Sequence, residues 1–87
     1  MNNSRAKSDN LNVVGNAVQQ LREDKNLSYQ ELSDKLMLYG IDISKMGLSR
    51  IEKGKRTVTD FELCGLSKVF NVSLEYLVSE FYNELNK

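Results

Sequence analysis

Apolar residues in this chain recur every three or four positions and never alternate convincingly with polar ones over four residues or more, so helices are what it can build. Proline is absent, which removes the residue that most often breaks a helix. Val14, Ala17, Val18 and Leu21 line one side of a first segment over residues 12–25, and Asn26 supplies a left-handed stop. Ser28 is followed three residues later by Glu31, the reciprocal capping box that opens a second helix, with Leu32, Leu36 and Tyr39 on one side and Gly40 at its end. Ile41-Asp42-Ile43 reads as extended, with both isoleucines turned inward. Ser44 then caps a short third helix that ends near Lys53, with Gly54 as its stop. Thr59 and Glu62 form a second capping box for a fourth helix, whose expected core is Phe61, Leu63, Leu66, Val69 and Phe70. Asn71-Val72-Ser73 breaks that helix, and Ser73 caps the last one.

Five helices with short links in 87 residues make one compact all-α domain over residues 11–87. Residues 1–10 are polar and unpatterned and are expected to form a flexible arm, with Arg5 and Lys7 in a solvated tail rather than a minor-groove reader. No stretch reaches the length of a membrane span and the start lacks a signal-peptide centre, so a cytoplasmic protein is expected. A single cysteine cannot form an internal disulfide, and without histidine neither a zinc site nor a His-based triad is expected. Cys64 reads as a small buried hydrophobe. No metal, cofactor or catalytic set is expected, and the chain does not read as an enzyme.

Charge sums to zero but is unevenly placed. Residues 1–56 carry ten Lys/Arg against seven Asp/Glu, whereas residues 57–87 carry two against five. The basic excess peaks in residues 44–56, where Lys45, Arg50, Lys53, Lys55 and Arg56 face Glu52 alone. Such clustering fits a polyanion-binding surface as well as a solvated helix face. A helical wheel separates the two readings. With Lys45 at zero, Leu48, Ile51 and Gly47 fall near 300°, 240° and 200°, a buried side; Lys45, Ser49, Lys53, Met46 and Arg50 fall between about 0° and 140°. A helix anchored by its back with donors along its front suits the major groove of DNA.

On that reading the base contacts are Lys45, Met46, Ser49 and Arg50. Arg50 presents a fork to guanine O6 and N7, Lys45 a point charge, Met46 an apolar tip for a thymine methyl, and Ser49 a hydroxyl. Lys53, Lys55, Arg56 and Thr57, at and beyond the helix end, are expected at phosphates, as are Tyr29 and Gln30 at the start of the second helix.

Residues 13–77 resemble the lambda-repressor-like helix-turn-helix domains of the Cro/Xre type. The matching residues are Leu21-Arg22, Leu27-Ser28, Glu31-Leu32-Ser33, Leu36, the run from Leu48 to Arg56 (LSRIEKGKR), and Val72-Ser73-Leu74-Glu75-Tyr76-Leu77. The resemblance implies that helices two and three are the DNA-binding unit, with helix three as the reader. It also implies a structural ion pair between Arg22 and Glu52, and a homodimer on a roughly palindromic operator. Four features depart from the family pattern. With Leu27 and Gly54 both aligned, residues 38–43 make the connection about five residues longer than one with the usual three-residue turn; Tyr29 stands where glutamine is usual, Ser33 where alanine is usual, and Lys45, Met46 and Gly47 replace the typical polar triplet at the recognition positions.

Leu74, Leu77, Val78, Phe81, Tyr82 and Leu85 continue one apolar stripe along the last helix. Leu74, Leu77 and Val78 suffice for packing on the domain's own core. The stripe beyond them, from Val78 through Phe81 and Tyr82 to Leu85, is the expected dimer interface. The sequence thus reads as a sequence-specific double-stranded DNA-binding protein, a dimeric transcriptional repressor or regulator. The alternative keeps the fold but makes the chain an antitoxin or accessory protein that binds a protein partner through its acidic C-terminal half.

Overall fold

The computed structural model describes residues 9–87, and the arm residues 1–8, with Arg5 and Lys7, lie outside them. Within the described residues the chain is helical throughout: α1 Gly15–Asp24, α2 Tyr29–Met37, α3 Lys45–Glu52, α4 Asp60–Phe70 and α5 Leu74–Leu85. None of these is long and apolar enough to cross a membrane.

Helix starts follow the local chemistry. Ser28 Oγ accepts from the Glu31 N–H (3.0 Å) while Glu31 Oε1 accepts from the Ser28 N–H (2.8 Å). Thr59 and Glu62 repeat the arrangement at α4. Ser44 and Ser73 accept from Gly47 and Tyr76. Each therefore satisfies a backbone donor that has no partner within its helix. The start of α1 is different. Asn12 Oδ1 accepts from the N–H groups of Val14 and Gly15, both at 2.9 Å, while Nδ2 donates to the carbonyls of Ile51 (3.0 Å) and Arg56 (2.9 Å). One amide thus opens α1 and fastens it to the end of α3.

Four helices end in the same reversal. After α1 the N–H of Leu27 reaches the Arg22 carbonyl and that of Asn26 reaches Glu23. The pairs Ile41 to Leu36 and Gly40 to Met37, Lys55 to Arg50 and Gly54 to Ile51, and Val72 to Ser67 and Asn71 to Lys68 repeat it. The pivot residues Asn26, Gly40, Gly54 and Asn71 all have positive φ, between 55° and 75°, as this motif demands. The long α2–α3 link is therefore no loose loop. Leu38 to Gly40 complete the exit turn of α2, and Ile41 to Ile43 lead into the extended Ser44 cap.

Val14, Val18, Leu32, Leu36, Ile43, Leu48, Ile51, Leu66, Phe70 and Leu77 form one buried core, drawn from every helix and from the link. Emptying such a site, as in Leu32→Ala, costs about 2–5 kcal/mol. α3 packs on both α1 and α2. Its approach to α1 requires Gly15, where a Cβ would lie 2.6 Å from the Ile51 carbonyl oxygen.

Four side chains expected inside are outside, among them Leu74, 44% exposed at the first residue of α5. Phe61 is 76% exposed and Cys64 is also exposed, because at 100° per residue they stand about 140° and 160° from Leu66 on the α4 wheel. Tyr39 is 53% exposed. It lies two residues beyond Met37, the last residue of α2, and the reversal at Gly40 carries the chain away before its stripe meets more core.

Candidate nucleic-acid interface

α3 has two unlike sides. Leu48 and Ile51 are completely buried, whereas Met46 is 63% exposed and Lys45, Arg50 and Lys53 are exposed with it. Ser49 is half-buried between them. The residues read as a donor face thus stand together on the outside of a rod pinned by its back. Lys55 and Thr57 are exposed in the link that follows. Among the described residues Lys45, Arg50, Lys53 and Lys55 have no ion-pair partner, so their charge faces solvent.

The far end of α3 is held by a buried polar cluster. Glu52 accepts from Arg22 Nε (2.6 Å), Arg22 Nη2 (3.1 Å) and the Tyr29 hydroxyl (2.9 Å). Arg22 Nη1 donates to the Leu27 carbonyl, and its guanidinium carbon lies 4.3 Å from the centre of the Tyr29 ring. The hydrogen bonds to Glu52 push the Arg22 pKa above its ordinary value, against the opposing effect of burial. One carboxylate therefore joins α1, α2 and α3, and its negative charge is met before it can reach the cationic side.

A family model described as Helix-turn-helix, of the Cro/Xre-like class, matches residues 18–77. The chain belongs to that family. It is one of DNA-binding transcription regulators, and the match spans both helices of the motif, α2 and α3. No curated protein and no solved structure gave a significant match to the chain.

Within this helix-turn-helix frame, two expected phosphate ligands are otherwise engaged. The Tyr29 hydroxyl gives its only proton to Glu52, so at that position only the backbone N–H still faces outward. Arg56 forks onto Glu62 at 3.0 and 2.9 Å and also donates to the Thr57 carbonyl. Its charge is spent within the molecule. Those bonds hold the Glu62 carboxyl below the usual carboxylate range, with burial pulling the other way and the Thr59 N–H assisting. Gln30 is exposed, and its amide bonds Asp34 one turn along, at 2.9 Å.

Two contributors escaped the sequence reading. Asn12 carried a signal, since an asparagine just before an apolar-periodic segment is a helix-start residue, but its partners lie 39 and 44 residues away. Ser33, half-buried on α2, donates from Oγ to the Ile43 carbonyl at 2.6 Å. Nothing in its spacing announces that bond. The departure at position 33 and the departure in link length meet in it.

Proposed function

We propose that the chain is a sequence-specific regulator of transcription that lays the outer side of α3 in the major groove of double-stranded DNA. Arg50 and Lys45 read acceptors on base edges, Met46 meets a thymine methyl, and Ser49 donates or accepts beside them. Lys53, Lys55, Thr57, Gln30 and the first N–H groups of α2 contact phosphates and fix the register. The observation that carries this reading is the opposition on α3: Leu48 and Ile51 fully buried, and an exposed Met46 among cations that no carboxylate among the described residues neutralises.

The proposal includes a homodimer formed through α5 on a palindromic operator. Val78 and Phe81 are half-buried, while Tyr82 and Leu85 are 56% and 63% exposed on the same helix. An apolar strip left in water at the end of a small domain supports a protein partner, and a second copy is the simplest one.

Selection of bound duplexes from a random pool tests specificity and symmetry together. One enriched sequence with two related half-sites is expected, bound with an affinity that falls steeply with salt. Arg50→Ala costs about 1–3 kcal/mol and relaxes one base pair, whereas Lys55→Ala weakens all duplexes alike. A pool that enriches nothing, or equal losses from both changes on every duplex, refutes the assignment. In that case loss of a protein partner on Tyr82 substitution would favour the accessory role.

A further inference from the structure

The link between α2 and α3 is braced at two points. Ser33 Oγ holds the Ile43 carbonyl at 2.6 Å, one residue before the cap of α3. Ile41 rests in a notch on α4 at Gly65, where a Cβ would lie 2.6 Å from Ile41 Cγ1. α3 itself is only eight residues long. Its C-terminal end is held by Glu52 and by the Asn12 bond to Ile51. A rod this short, fixed at one end, takes its tilt from whatever fixes the other. At the N-terminal end Ile43 supplies buried packing, but dispersion and burial are non-directional. The Ser33 hydroxyl supplies the directional constraint.

We infer that Ser33 is a positioning residue: its bond to Ile43 sets the tilt of α3 and so the accuracy with which Lys45 and Met46 meet their base pairs. The inference rests on the DNA-reading role of α3. Stability of α2 does not hang on this hydroxyl, because Leu32 and Leu36 are completely buried and the Ser28–Glu31 box closes its start. The effect of losing it therefore falls on discrimination more than on folding.

The test uses the full chain with two probes: the duplex that wild type enriches from a random pool, and a shuffled duplex of the same composition. Ser33→Ala is expected to bind the enriched duplex about three- to tenfold more weakly, the worth of one hydrogen bond, and the shuffled duplex as wild type does. Its own selection should lose preference at the base pairs that Met46→Ala also flattens and keep the pair that Arg50→Ala flattens. Ser33→Thr, which retains the hydroxyl, should restore the wild-type pattern. Equal weakening on both duplexes, no change on either, or flattening spread over the whole site overturns the inference while leaving the DNA reading in place. If Ser33→Ala does not fold, Ser33→Thr decides: a wild-type pattern supports the role and a flattened one overturns it. A wild-type pool with no enriched duplex overturns the DNA reading, and the role of Ser33 with it.

Discussion

α3 and α5 are attached to the domain in opposite ways. α3 has eight residues and is tied by polar bonds from Asn12, Arg22 and Tyr29, with Ser33 bonding the link just before it and both of its apolar residues other than Met46 completely buried. α5 has twelve residues and only Leu77 buried, and Asn16 of α1 bonds its Glu80 at 3.1 Å in an exposed position. The shorter helix is the more firmly set, which suits the reading role proposed for it. The longer one leaves Tyr82 and Leu85 in water, the surface that the proposed dimer would cover.

The largest effect expected from attacking this contrast is at Arg22. Arg22→Ala leaves the buried Glu52 carboxylate without its ionic partner and should cost about 3–5 kcal/mol in chemical denaturation. Asn12→Ala removes four bonds at the same junction, and the half-buried groups left behind should cost about 1–3 kcal/mol. Hydrogen exchange should then rise at the α1–α3 contact before it rises in α4. On α5, Leu85→Ser should change the folding stability of dilute protein by no more than about 0.5 kcal/mol. It should nevertheless shift sedimentation toward the monomer at high concentration. A wild-type chain that stays monomeric there would break the comparison at its α5 end.

The smallest effect is in acid. Arg56 lowers the Glu62 pKa, and the Ser28 backbone N–H, followed by its hydroxyl, lowers that of Glu31. Both are depressed in the folded state, so their contribution is complete above the ordinary glutamate value of about 4.3. It disappears as pH falls from there through the lowered folded values. Melting temperature should accordingly decline below that pH, and Glu62→Gln should make the decline shallower.

The helices, their caps and the two sides of α3 were legible because each is written in local spacing. Ser28 and Glu31, Thr59 and Glu62, and the placement of Leu48 and Ile51 opposite Met46 and Arg50 need no knowledge of distant chain. The outward positions of Phe61 and Cys64 were legible too, since the wheel that sorts α3 sorts α4 equally well, and apolar character alone does not make a side chain face inward. What spacing does not carry is pairing through space. Arg56 looked like a free cation because Glu62 was seen as a cap, and it is both cap and counter-ion. Tyr29 looked like a surface donor because its acceptor, Glu52, lies on another helix. The resemblance supplied Arg22 and Glu52 as a pair but gave no hint that a tyrosine would join them.

The repeated reversals at Asn26, Gly40, Gly54 and Asn71 lock the exits of four helices, leaving the protein few places to bend. In the proposed complex any misfit between two reading helices and their half-sites would then be absorbed by the duplex. Flexible pyrimidine–purine steps between the half-sites should be favoured even where no side chain touches them, so part of the operator would be chosen by how readily it deforms.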